Sequence, residues 1–137
     1  MPLSVSSPAD AVGALARRDD VVLGIATGKS QRGVRLVLAH HGLIDHFITI
    51  KTADDAPSKP DPGMVIAAMR EAGVDAADTV VVGDTVYDIA MARAAGAAAI
   101  GVTWGYHRPE ALAEAGAFAV IDDYRTLIPT LDKLWSS

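Results

Sequence analysis

Apolar residues along this chain fall into short unbroken runs separated by stretches with helical spacing. Five runs read as buried strands: Val21–Ala26 (VVLGIA), Phe47–Ile50 (FITI), Thr79–Asp84 (TVVVGD), Ala98–Thr103 (AAIGVT) and Phe118–Ile121 (FAVI). The segments between them carry helix punctuation. Ser7 as N-cap, Pro8 in the first turn and Asp10 three residues after the cap predict a helix start. Val12, Leu15 and Ala16 then supply its apolar stripe, and Asp19-Asp20 stops it. A second helix is expected from near Ser30 to His41, with Gly42 as its stop. Pro60-Asp61-Pro62 opens a third helix, which carries Met64, Ala67, Ala68 and Met69 and ends at Gly73. A fourth runs from about Val86 to Ala95 before Gly96, a short one begins at Pro109, and the last reaches about Leu134.

Strands alternating with helices predict a mostly parallel sheet with right-handed crossovers. The near-continuous apolar strands require helices on both faces. The expected class is therefore α/β: three Rossmann-like layers in a single domain over residues 1–137. Sheets of this kind bind ligands outside the carboxyl ends of their strands. Thr27 follows the first strand, Lys59 precedes the helix after the second, and Asp84 ends the third, so all three are expected at one edge.

Composition narrows the possibilities. Half of the residues are hydrophobic but only 5% are aromatic, which suits alanine-rich helices packed closely on a sheet. A net charge of -5 argues against nucleic-acid or anionic-membrane partners. Without cysteine there is neither disulfide nor thiolate metal site. No leader pattern and no run near the ~18 apolar residues of a membrane span is visible, so a cytoplasmic protein is expected.

The stretch Gly24–Ser30 (GIATGKS) ends as a phosphate-binding P-loop ends. That loop needs four residues between its glycines so that successive backbone N–H groups wrap the phosphates. Here Gly24 and Gly28 enclose only three. Thr27 and Gly28 remain of interest, since glycine permits a tight turn and close backbone approach to a ligand. In "VVVGDTVYD", Asp84 and Asp88 flank a helix start, where two carboxylates suit Mg²⁺. Alternatively, Asp84 and Thr85 are capping residues and Asp88 a solvated first-turn acid. Lys59 in "SKPDP" is a surface charge or a phosphate ligand. Hydroxyl, cation and carboxylates together make a phosphate-plus-Mg²⁺ constellation.

These motifs resemble, in order and spacing, the core of the haloacid dehalogenase (HAD) superfamily of hydrolases, and its phosphoglycolate phosphatase branch in particular. "IATGKS" resembles the second signature of that family, "SKPDP" the third and "VVGDTVYDIAMARAAGA" the fourth; "IGVTWGY" resembles the loop that follows in that branch. The resemblance implies Mg²⁺-dependent hydrolysis of a phosphorylated small molecule through an aspartyl-phosphate. It implies that Thr27 hydrogen-bonds the phosphoryl group and that Thr27, Gly28 and Lys59 bind phosphate. It further implies that Lys59 neutralises charge, that Asp84 holds Mg²⁺, and that Asp88 supports the metal shell or orients Lys59.

One signature of that family is missing. No two aspartates stand two residues apart, so there is no Asp-x-Asp nucleophile strand, and the helical cap is also absent. The chain alone is expected to be inactive, either as part of an enzyme or as a non-catalytic phosphate- or Mg²⁺-binding or interaction module. The resemblance places the lost strand between the first and third strands. Those two must then pair directly, or Leu3–Val5 or another chain must fill the gap, with self-association through it as one outcome. His40, His41 and His46 are expected to be solvated or to face a helix C-terminus. His107 is a candidate for facing substrate, and Trp135 is expected to pack the last helix onto the core.

Overall fold

The computed structural model describes residues 8–57, 59–103 and 108–136. The expected cap at Ser7, the segment Leu3–Val5, the Trp-Gly loop and His107 lie outside the described residues. The elements are α1 (Pro8–Ala16), β1 (Leu23–Thr27), α2 (Gln31–His40), β2 (Phe47–Thr52), α3 (Gly63–Ala72), β3 (Val80–Gly83), α4 (Val86–Ala94), β4 (Ala98–Val102), α5 (Pro109–Glu114), β5 (Ala119–Ile121) and α6 (Leu127–Trp135).

All strand pairs are parallel, as the alternating pattern requires, but the strands form two sheets. β1 pairs with β2, while β3, β4 and β5 form a second sheet in that order. β1 and β3 do not pair with each other, so direct closure of the gap is excluded for the described strands. An open cleft of about 1100 Å³ lies between them. Its lining comes from both cleft strands and from the helices on either face.

Helices cover both faces. Leu15 of α1 and Leu127 and Leu131 of α6 pack with Ile100, Val102 and Ile121, while Leu23 and Val80 from the two cleft strands lean on the same cluster. Val34 and Leu38 of α2 cover Ile25 and Ile50 on that face. On the other face, Ile89 and Ala92 of α4 and Leu112 of α5 cover Val81, Ala99 and Val120. Met64, Val65 and Met91 join α3 to α4 there, over Ala26 of β1 and Val81 of β3. The two sheets are thus held side by side by helices on both faces.

Most strand boundaries shift by a residue or two, with β3 at Val80–Gly83, β4 ending at Val102 and β5 starting at Ala119. β1 begins at Leu23, and Val22 is exposed, because no neighbour extends the ladder on that side. β2 runs on to Thr52, opposite Thr27. α3 starts at Gly63 and not at Pro60: residues before proline avoid the helical region, and Asp61 Oδ1 accepts the Gly63 N–H at 2.8 Å in the turn that precedes the helix. The glycine stops hold, with left-handed φ of 69° at Gly42, 72° at Gly73 and 82° at Gly96. Trp135 departs from expectation; it stays 38% exposed, with the Arg18 guanidinium 6.0 Å from its ring centroid. His40, His41 and His46 are exposed, as expected.

Ile100 is fully buried at the centre of the three-stranded sheet. Ile100→Ala is expected to lower unfolding stability by about 2–5 kcal/mol, the range for large-to-small core changes. A urea titration followed by circular dichroism measures it.

Candidate active site at the carboxyl edge of the strands

The site is assembled from three strand ends. Asp84 follows the last residue of β3, and Thr85 is the N-cap of α4. Thr85 and Asp88 form a reciprocal capping box: the Asp88 N–H donates to Thr85 Oγ1 at 3.2 Å, and the Thr85 N–H donates to Asp88 Oδ2 at 3.2 Å. The Thr85 hydroxyl also reaches Asp88 Oδ2, at 3.0 Å. The other carboxylate oxygen of Asp88 forms an ion pair with the Lys59 ammonium. Asp88 is 6% exposed, so the alternative of a solvated first-turn acid is corrected: the turn folds its carboxylate inward, against Lys59. Capping and pairing coexist, since each uses a different oxygen.

Gly83 makes this possible. A Cβ on Gly83 would stand 2.2 Å from Asp88 Cβ and 2.6 Å from its Cγ. The glycine before Asp84 is there so that the first turn of α4 can fold down onto the strand. Sequence reading passed over Gly83, although a glycine inside a strand pattern signals close approach of another group.

Lys59 reaches Asp88 from the loop after β2, and that loop is anchored elsewhere. The Thr52 N–H and hydroxyl donate to Asp55 Oδ2 at 2.9 and 3.0 Å. Gln31, the first residue of α2, donates its side-chain amide to Asp55 at 2.5 Å and to the Ile50 carbonyl at 2.8 Å. Its backbone N–H donates to Asp54 Oδ2 at 2.9 Å. Asp54 and Asp55 thus tie the Lys59 loop to the start of α2. These hydrogen bonds hold the Asp55 carboxyl below its ordinary value, the Gln31 bond most strongly and the Thr52 N–H next.

Thr27 ends β1, and its Oγ1 accepts the Lys29 N–H at 3.3 Å. Ser30 is the N-cap of α2, accepting the Gly33 N–H at 3.1 Å. Lys29 is exposed. Gly28 does not take a left-handed φ, and a Cβ there would meet nothing within 4 Å. The turn itself therefore does not demand glycine, which corrects that part of the expectation. What the missing side chain leaves is open space above the end of β1.

Lys59, Asp84 and Asp88 line one end of the cleft between the sheets. Arg18, Asp20 and Asp132 line it too, and Arg18 bridges Asp20 and Asp132 at 3.1 and 2.7 Å. Among the described residues, no group of three or more His, Cys, Asp or Glu is arranged to hold a metal ion. The donor chemistry at Asp84 and Asp88 still fits Mg²⁺, which binds through one or two carboxylates and completes its shell with water and phosphate oxygens.

A sequence profile described as haloacid dehalogenase-like hydrolase matches residues 9–102, more than half of the chain. The chain belongs to the haloacid dehalogenase-like hydrolases. It is 39% identical over 116 residues to "Probable phosphatase IndB" of Dickeya dadantii, covering 84% of this chain and 50% of that protein. It is 38% identical over 117 residues to a phosphoglycolate phosphatase of Rhodospirillum rubrum, covering 85% of this chain and 48% of that one. The crystal structure of a hydrolase from Pseudomonas syringae superposes with a TM-score of 0.81 at 27% identity, over 94% of this chain and 61% of that chain. The chain thus spans about half the length of the curated relatives it matches. The fold is that of haloacid dehalogenase-like hydrolases: α/β, with parallel strands between helical layers. Among the described residues, no helix is long and apolar enough to cross a membrane.

Two outcomes are expected at this edge. Gly83→Ala forces Asp88 away from the strand, breaking the capping box and the Lys59 pair together. Overpacking of this kind costs about 1–3 kcal/mol, read as a lower thermal unfolding midpoint. The depressed Asp55 carboxyl contributes stability in full above its ordinary value near 3.8, and loses it as pH falls through its lower folded value. Asp55→Asn is therefore expected to flatten that acid limb in a pH series of urea midpoints.

Proposed function

We propose that Thr27, Gly28, Lys59, Asp84 and Asp88 form the phosphate and Mg²⁺ site of a phosphate-monoester hydrolase core. The observation that carries this reading is the Lys59–Asp88 ion pair beside Asp84, at the edge where β1 ends in Thr27. Phosphoryl transfer asks mainly for positioning and charge stabilisation, and each residue supplies one part. The Thr27 hydroxyl donates to a phosphoryl oxygen, and Gly28 leaves room for that group above the strand end. Lys59 offsets phosphate charge while Asp88 holds its ammonium in place. Asp84 supplies the carboxylate for Mg²⁺, which when bound screens charge on the phosphoryl oxygens.

The substrate class is a phosphorylated small molecule, with phosphoglycolate-like esters the first to examine because of the Rhodospirillum relative. Residues 1–137 constitute one partial core domain in this reading. No pair of aspartates in the sequence has the Asp-x-Asp spacing, so the chain by itself binds phosphate and does not turn it over. That same observation favours a second reading, in which the chain is a non-catalytic phosphate- and Mg²⁺-binding module.

Calorimetric titration with inorganic phosphate and Mg²⁺ tests the site. Saturable binding is expected, weakened about tenfold or more by Lys59→Ala, since hydrogen bonds to charged groups are the strong ones. Thr27→Val is expected to weaken phosphate binding, and Asp84→Asn to remove the dependence on Mg²⁺. Turnover of p-nitrophenyl phosphate is expected to be negligible. Vigorous hydrolysis that depends on Asp84 would overturn the inactive assignment, and absence of any phosphate binding would overturn the site.

A further inference from the structure

Two arms of the site leave the sheet by separate routes. Thr27 ends β1 and leads through Ser30 into α2, whereas Lys59 lies in the loop between β2 and α3. That loop is held on two sides. On one, Ala56 joins the apolar cluster of Met64, Val65 and Met91, and a Cβ on Gly63 would stand 3.0 Å from Pro57 Cδ. Apolar contact is non-directional, so it keeps the loop down without fixing how it runs towards Asp88.

On the other side the contacts are directional and converge on Gln31. Its amide nitrogen donates to Asp55 Oδ2 at 2.5 Å and to the Ile50 carbonyl at 2.8 Å. Its Oε1 accepts from Arg35 Nε at 2.9 Å. With the nitrogen on two acceptors and the oxygen on a guanidinium, the amide has a single orientation. Asp55 Oδ2 also accepts the N–H and hydroxyl of Thr52, which is fully buried. The Thr52 carbonyl accepts the N–H groups of Asp55 and Ala56 at 3.0 and 3.3 Å. The turn that carries the chain out of β2 is therefore locked to the first residue of α2.

We propose that Gln31 is a positioning residue for Lys59. It fixes the loop after β2 to the helix that follows Thr27, and so sets where the Lys59 ammonium meets Asp88. Lysine carries its charge on a flexible four-carbon stem, so the direction of that charge depends on how firmly the main chain beneath it is held. Gln31 also begins α2, four positions after Thr27. Hydroxyl and ammonium are thereby held as one unit, and a phosphoryl group would meet both without a further ordering cost. The positioning of Lys59 stands on this geometry alone; its consequence for phosphate rests on the reading of Thr27, Gly28 and Lys59 given above.

A double-mutant cycle on the full chain separates positioning from simple support of α2. Gln31→Met keeps the length of the side chain and removes its hydrogen bonds, and Lys59→Met removes the ammonium. In urea unfolding, the double variant is expected to lose about fivefold or more less in the unfolding equilibrium constant than the two single effects combined, as for members of one network. Effects that combine independently to within about twofold would overturn the proposal. Gln31→Asn, which keeps the amide on a shorter stem, replaces Gln31→Met in the cycle if that variant fails to fold. Titration with inorganic phosphate gives a second readout. Gln31→Met is expected to weaken binding about fivefold or more in the parent chain, and to change it by less than about twofold in the Lys59→Met background. Equal weakening in both backgrounds would overturn the proposal. If the parent chain binds no phosphate, the phosphate reading fails, and the unfolding cycle alone decides the role of Gln31.

Discussion

The buried carboxylate of Asp88 is the constraint on which the candidate site depends. One oxygen closes the first turn of α4 through the N–H and hydroxyl of Thr85, and the other binds the Lys59 ammonium. A carboxylate that is 6% exposed cannot be left uncompensated, since removing the partner of a buried charge is strongly destabilising. The pair therefore holds a loop from the β2 side against a helix from the β3 side. Because no strand pairing connects those two sides among the described residues, this polar link matters more than an ion pair inside a continuous sheet. Gly83 is its geometric condition, since any side chain there would occupy the space of Asp88.

The second link between the halves is apolar. α3 lies across the junction, and Met64, Val65 and Met91 bury themselves over Ala26 of β1 and Val81 of β3. On the opposite face, α1 and α6 gather Leu23 and Val80 onto one cluster. Helical layers hold the two sheets side by side because close packing needs neighbours on the helix faces and does not need the sheet to be continuous. The cost falls on the strand edges, where hydrogen-bonding groups of β1 and β3 face a cleft. Among the described residues the layers are thus complete on both faces while β1 and β3 share no ladder.

Much of the fold was legible because its signals are local. The apolar runs, the glycines at helix ends and the serine before α2 act through the conformations of a few adjacent residues. The boundary shifts come from what is not local: β2 gains Thr52 from its pairing with Thr27, and Val22 drops out for want of a neighbour. The start of α3 moved because Pro60 and Pro62 restrict the residues before them, an effect read too loosely as a simple helix opening. The site was legible as a set of residue types at strand ends, Thr27, Lys59, Asp84 and Asp88. Gln31, Asp54 and Asp55 were not, since their role appears only when the loop after β2 folds back onto α2.

By itself the sequence determined the order of strands and helices, the parallel class of the sheet and the edge at which its polar residues collect, because these follow from periodicity and chain connectivity. It also determined that no Asp-x-Asp pair is present. Only the tertiary structure decided that β1 and β3 stand apart and do not close on each other, because that depends on how α1, α3, α4 and α6 pack across them. It alone decided that Asp88 turns inward to Lys59 and does not remain a solvated acid. A spacing of four residues brings Asp84 and Asp88 near each other, but burial and an available cation decide which way a carboxylate faces.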